Sequence, residues 1–329
     1  MPTPSRLVAA VCLAAALAAC GTGAASEDPA RAASGSYPVT VANCGADVTF
    51  ERAPERLVLL KSAAVPFLHE LGVLDRVVAR TGQYPEEYYD EEVIAGLDAI
   101  PLLTDELDSS GHLQISREVV ISQEPDLVLG QVDNLSRESL SAVGIPLVEE
   151  PALCEAGGAE PGFGDVRDQL EAYGRVFGRE ARARDAIARL DADLADIAER
   201  VGGGSGRTAA VLYPTVGGGT TYAYGTRSMA HPQLEAAGLR NAFGDVDERV
   251  FEVTLEELLG RDPDVLVLLH SEGDPAPVAQ ALTGLPGAER LTAVRNRDVM
   301  TQLFNLTEPP SPLVVEGLER IVDRFGAGS

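Results

Sequence analysis

Apolar residues at Ile187, Leu190, Leu194, Ile197 and Val201 recur in steps of three and four, and charged residues fill the other faces. This periodicity predicts one amphipathic helix over 179–201, about six turns long. Gly202, Gly203, Gly204, Ser205 and Gly206 then stop it. On either side the period changes. Upstream, Val39 and Val41 alternate out to Asn43-Cys44-Gly45, and Val48 and Phe50 return, which predicts a hairpin. Strands are expected at 57–60, 77–79, 127–129 and 146–148, with helices at 64–71, 117–123 and 136–143; the acidic stretch holding Tyr84, Tyr88 and Tyr89 is a further candidate helix. Downstream, strands are expected at 208–213, 250–253, 265–269 and 299–303, with helices at 229–238 and 255–260. Ser311-Pro312 is expected to cap a closing helix that buries Leu318, Ile321, Val322 and Phe325. Strands alternating with helices predict parallel sheets. The expected fold is therefore α/β: two Rossmann-like lobes joined by a single long helix, with a cleft between them.

The two halves share a local pattern. Ser116-Arg117-Glu118 leads to Pro125-Asp126-Leu127-Val128-Leu129, and Thr254-Leu255-Glu256 leads to Pro263-Asp264-Val265-Leu266-Val267. In each, a hydroxyl precedes a glutamate by two, a short helix follows, and Pro-Asp opens an apolar strand. Proline ends the helix and favours the extended run. The glutamate lies seven before the proline in both, so Glu118 and Glu256 occupy equivalent places. Taken singly, each complements a helix dipole, which contributes about 0.3–1 kcal/mol; the pairing adds the reading of two acidic knobs offered to a partner.

Residues 1–20 combine Arg6 with an apolar run too short to span a bilayer, as in a signal peptide. The run ends Leu17-Ala18-Ala19-Cys20, small residues before a cysteine, which resembles a bacterial lipobox that would place a lipid anchor on Cys20; the alternative is a plain secretory signal. Residues 21–36, rich in Gly, Ala and Ser, read as a flexible tether. Of the 4 cysteines, Cys12 falls in the signal and Cys20 at its end, leaving Cys44 and Cys154 as an even pair in an exported chain, expected to form a disulfide. The formal net charge of −25 argues against nucleic acid, because phosphate binding needs a basic face.

Signal and lipobox, tether, a lobe over 37–162, a helical connection over 163–203, a second lobe over 204–329 and the repeated Glu/Pro-Asp pattern together resemble the iron-siderophore/cobalamin class of ABC-transporter solute-binding proteins. Residues 54–60 (PERLVLL) are similar to that class's first strand, and residues 118–128 (EVVISQEPDLV) to its signature segment. The resemblance implies an extracytoplasmic, membrane-anchored binder that captures a ferric siderophore between its lobes and delivers it to a permease served by an ATPase. It implies no cofactor and no catalysis, and it implies that Glu118 and Glu256 meet permease arginines.

Ligands in such lobes sit at loops after strand C-termini. Those loops offer Lys61, Ser62, Arg80, Tyr84, Gln131 and Asn134 from the first half and Tyr222, Tyr224, Arg227, His231, His270 and Asn305 from the second. Arg and Lys suit anionic oxygens; Tyr suits flat faces and hydrogen bonds. With no tryptophan in the chain, any aromatic wall falls to Tyr and Phe. The negative field favours a neutral or cationic hydroxamate over an anionic catecholate. Haem or cobalamin remains the alternative ligand. Bare-metal binding fits poorly, because His69, His112, His231 and His270 are few and scattered. Gly217-Gly218-Gly219 completes no phosphate-binding motif, and no G-x-S-x-G, H-E-x-x-H or Cys–His nucleophile pair supports an anchored enzyme.

Overall fold

The computed structural model describes residues 37–106, 113–154, 160–217 and 219–326. The leader, the tether and Cys20 lie outside these residues. The chain opens with a hairpin, β1 (Val39–Asn43) and β2 (Ala46–Phe50), paired antiparallel. Cys44 and Gly45 form its two-residue turn with φ of 49° and 77°, the positive pair that matches the twist of the flanking strands.

The first lobe contains β3 (Leu57–Leu59), α1 (Val65–Leu71), β4 (Val77–Arg80), α2 (Glu91–Asp98), α3 (Arg117–Ile121), β5 (Leu127–Leu129), α4 (Arg137–Ser141) and β6 (Leu147–Val148). Its sheet is all parallel in the order β4-β3-β5-β6. β3, β5 and β6 are buried throughout, which is why they read as apolar runs rather than alternations. The tyrosine-rich acidic stretch forms only a 3₁₀ turn at Glu86–Tyr88 before α2, which Asp90 caps by accepting the Val93 N–H at 2.9 Å.

Two helices, α5 (Phe163–Phe177) and α6 (Glu180–Val201), join the lobes. They turn back on each other at Gly178, whose φ of 63° ends α5. A Cβ on Gly174 would lie 2.6 Å from Ala183 Cβ, so the absent side chain lets the two helices meet. α6 buries Ala183, Ala186, Leu190, Ile197 and Val201, with Ile187 and Leu194 half-buried beside them.

The second lobe holds β7 (Thr208–Pro214), β8 (Thr221–Tyr224), α7 (Ala230–Ala236), β9 (Arg240–Asn241), β10 (Val250–Val253), α8 (Leu255–Arg261), β11 (Val265–His270), α9 (Ala276–Thr283), α10 (Thr292–Asn296), β12 (Val299–Leu303) and α11 (Leu313–Phe325). The strand order is β10-β8-β7-β11-β12, with β9 beside β7. β7, β11 and β12 run parallel, while β8 is antiparallel to both β7 and β10, so the sheet is mixed. α11 buries Leu318, Ile321, Val322 and Phe325 as its spacing requires. Its start differs from the sequence expectation: Pro312 is the N-cap, and the Ser311 hydroxyl is buried without a partner among the described residues instead of capping the helix.

The shared pattern of the two halves has a structural cause. Asp126 Oδ1 accepts the Arg56 N–H at 2.8 Å and Asp126 Oδ2 the Glu55 N–H at 2.9 Å. Asp264 Oδ2 accepts the Thr208 N–H at 2.8 Å and its hydroxyl at 3.0 Å. Each aspartate therefore satisfies the backbone where the neighbouring parallel strand begins, β3 in one lobe and β7 in the other. The residues before the prolines match too: Glu124 and Asp262 adopt φ of 50° and 42°.

Candidate functional site

Two adjoining cavities of 460 and 330 Å³ lie between the lobes. Lys61, Glu150, Leu153, Arg249 and Pro309 line both, so they form one cleft. The parallel sheet of the first lobe supplies its wall from the loops that leave strand C-termini: Lys61 and Ser62 after β3, Gln83 after β4, Gln131 after β5 and Glu150 after β6. The opposite wall holds Ser271 after β11 and the segment from Phe304 to Pro310 after β12. Arg227 follows β8, and Arg249 immediately precedes β10.

The electrostatics repeat across the cleft: each wall presents a cation beside a buried carboxylate. Glu308 is 1% exposed. Its Oε2 lies 3.4 Å from Arg249 Nη1, and its Oε1 accepts the Met229 N–H at 2.7 Å. Burial raises its carboxyl above the usual range, and Arg249, Ser228 and Met229 hold it back. On the facing wall Glu150 is 3% exposed, and burial pushes it up to about 7, opposed by Lys61. Burial depresses the Lys61 ammonium, with Asp133 and Glu150 opposing that shift. Both walls thus keep charges under partial desolvation, where an incoming charged or polar group interacts strongly.

The hairpin turn braces this wall from behind. Asn43 Nδ2 donates to Glu149 O, and Glu149 N–H returns a bond to Asn43 Oδ1, both at 2.8 Å. Arg137 donates to Asn43 Oδ1 and pairs with Glu149 at 3.2 Å. Next in the chain, Cys44 is disulfide-bonded to Cys154 across 110 residues. The segment carrying Glu150 is held at both ends.

Of the residues picked by sequence, Lys61, Ser62, Gln131, Arg227 and Asn305 meet at the cleft. Arg227 is already committed, donating to both oxygens of Asp247 at 2.7 and 3.0 Å and holding that carboxyl below its usual value. The others do not line it. Arg80 stacks 4.9 Å over the Tyr84 ring, donates to Ile100 O and reaches Asp98 at 3.9 Å, so this pair serves the first lobe. Asn134 donates to Ile115 O at 3.0 Å. Tyr222 lies in the sheet between Tyr213 and Glu252, and Tyr224 is in the core. His270 is buried with Nδ1 3.3 Å from Glu272 O, and His231 faces Glu235 on α7. Sequence reasoning missed Arg249, Glu150 and Glu308. Glu150 obeys the same strand-end rule as Lys61, but Arg249 precedes its strand and Glu308 is brought in by the return towards α11.

Glu118 and Glu256 each sit in the first turn of a helix, α3 and α8, and both are exposed. Ser116 Oγ and Thr254 Oγ1 cap these helices by accepting N–H groups three residues on, at 3.3 and 3.2 Å. Arg117 pairs with Glu118 at 3.4 Å. Among the described residues, no group of three or more His, Cys, Asp or Glu is placed to hold a metal ion, and no helix is long and apolar enough to cross a membrane.

Two α/β lobes about a helical spine, with a charged cleft at their loops, define a solute-binding protein. The family of periplasmic binding proteins matches residues 57–302, and the chain belongs to it. It is 57% identical to a protein of Saccharomonospora viridis whose crystal structure is described as an ABC-type Fe3+-hydroxamate transport system, with a TM-score of 0.84 over 88% of this chain and 100% of that one. A cobalamin-binding protein of Halobacterium salinarum is 27% identical over 88% of this chain and 74% of its own. An uncharacterized ABC transporter substrate-binding lipoprotein of Bacillus subtilis is 26% identical over 93% and 92%.

Proposed function

We propose that this chain is the extracytoplasmic binding protein of an ABC importer, anchored by lipid at Cys20, that captures a ferric hydroxamate in the cleft and delivers it to its permease and ATPase. The observation that carries the reading is the 57% identity to the Fe3+-hydroxamate transport protein over the whole of that chain. The relative described as a lipoprotein supports the anchor. Lobes at 37–162 and 204–329 with a helical connection at 163–203 fit this role. Lys61 and Arg249 supply facing cations for the oxygen-rich surface of a chelate, and Glu118 and Glu256 supply one carboxylate per lobe for permease arginines. The function is binding, with no catalytic step and no cofactor. Cobalamin is the second reading, favoured by the Halobacterium relative.

The test is a titration of residues 21–329 with ferric hydroxamate, ferric catecholate, haem and cyanocobalamin, followed by tyrosine fluorescence and calorimetry. Saturable one-to-one binding of the hydroxamate is expected. Saturation by cyanocobalamin alone would replace the reading with the second one.

A further inference from the structure

The two buried carboxylates of the cleft are not equivalent. Glu308 has its partners within the protein, Arg249 and the Met229 N–H. Glu150 has no side-chain hydrogen bond among the described residues; its main-chain oxygen accepts the Leu153 N–H at 2.9 Å. The neighbouring Gln131 repeats the imbalance. Its Nε2 donates to Leu153 O at 3.4 Å, which orients the amide, and its Oε1 is left buried with no partner among the described residues. Both side chains line the larger cavity. A buried acceptor without a donor, as Gln131 Oε1 is, costs about 1–3 kcal/mol, so such a group normally marks something that supplies the donor. Lys61 neutralises part of the field, but it lies on the same wall and in the same two cavities.

We infer that Glu150 and the Gln131 carbonyl form a subsite for a protonated amine, so that the preferred cargo is a ferric hydroxamate carrying a free ammonium group. This rests on the hydroxamate reading above and narrows it. A primary ammonium offers three N–H donors and one positive charge, which meets one amide acceptor and one carboxylate together. The chelate's hydroxamate oxygens are then left to Lys61 and Arg249. Burial raises the Glu150 carboxyl, and an arriving cation would offset that shift by favouring the ionised form. The brace from Asn43 and the Cys44–Cys154 disulfide fixes the segment on which Glu150 stands.

The experiment uses two probes with the same iron centre: the ferric complex of desferrioxamine B, a linear trihydroxamate ending in a primary amine, and the ferric complex of its N-acetyl derivative. Wild-type protein is expected to bind the amine form about ten- to a hundredfold more tightly, the worth of a hydrogen bond to a charged group. Glu150→Gln should erase that preference, bringing the affinities for the two probes within about twofold of each other. Equal wild-type affinities for the two probes would overturn the subsite and leave the hydroxamate reading standing, as would a preference that survives in E150Q. Failure of both probes to bind would overturn the reading and the subsite together. The wild-type comparison needs no variant, so it decides even if E150Q fails to fold.

Discussion

Asn305 Nδ2 donates to Ser62 Oγ at 3.0 Å, joining the turn after β12 to the turn after β3 directly across the cleft. The Asn305 N–H also donates to Tyr88 Oη at 2.9 Å, and Gln83 Nε2 reaches Glu272 at 2.7 Å. The lobes are therefore in contact at the rim, and behind them stands a spine that is helical rather than a loop hinge. Scattering profiles of the free and loaded protein should differ by a small rotation only. A large compaction on binding would show that the rim contacts open widely and that the spine bends.

Asp126→Ala and Asp264→Ala remove the same kind of joint from opposite lobes. At the start of β3 the N–H groups left without their acceptor are exposed, and at the start of β7 the Thr208 N–H is half-buried. The cost in denaturant unfolding should be about 0.5–1.5 kcal/mol at Asp126 and about 1–3 kcal/mol at Asp264. The sites share no hydrogen-bond partner, so the double variant should lose nearly the sum. A negligible effect of D264A beside a large effect of D126A would break the equivalence.

Replacing Cys44 and Cys154 by serine opens a loop of 110 residues. Loss of a native disulfide of this kind costs about 2–5 kcal/mol. The urea midpoint should fall accordingly, and adding reductant to the wild type should reproduce the shift. A reductant effect persisting in the double serine variant would point to another cause.

Charge reversal of both Glu118 and Glu256 to lysine should abolish uptake by cells while leaving the affinity of the purified protein for its chelate unchanged. The two carboxylates are exposed on α3 and α8 and do not line the cleft. Weakened chelate binding in this variant would refute a docking role.

Glu150 makes stability depend on pH in a definite direction. Its folded-state carboxyl titrates at about 7, above its ordinary value of 4.5. The folded protein thus holds the proton more tightly than the unfolded chain, and the associated stabilisation is complete below about 4.5 and lost as the pH rises through 7. Melting temperatures of the wild type measured against E150Q should show the wild type gaining ground between pH 8 and pH 5. A constant difference over that range would mean that Glu150 stays ionised throughout.

Much of this architecture was legible in the chain. The α6 stripe, the apolar strand runs and the doubled Pro-Asp pattern are each local, and local periodicity survives into the fold: β5 and β11 begin at Leu127 and Val265, immediately after Asp126 and Asp264. What was not legible depends on topology. The segment that leads from β9 into β10 brings Arg249 to the cleft from in front of a strand, and no spacing in the sequence marks it. Tyr224 and His270 stand beside strand ends as cleft residues do, yet packing buries them. Ser311 had the residue type and place of a helix cap, but α11 begins one position later than Pro312 at its first turn would require. Glu150 sat in an ordinary acidic pair, and its burial near Lys61 sets it apart from Glu149, which pairs with Arg137.

One continuous hydrophobic core runs from β3 and β5 through α5, α6 and α11 to β7 and β11. Two lobes that look separable in outline are thus welded along an apolar seam, and neither owns a complete interior. Cutting the chain after α6 would strip Val314, Leu318 and Ile321 of α11 from the helices they cover and leave an oily wall facing water. Such a body cannot be shared out as independent modules; its variety must be written at the rim, where loops can change without disturbing the seam.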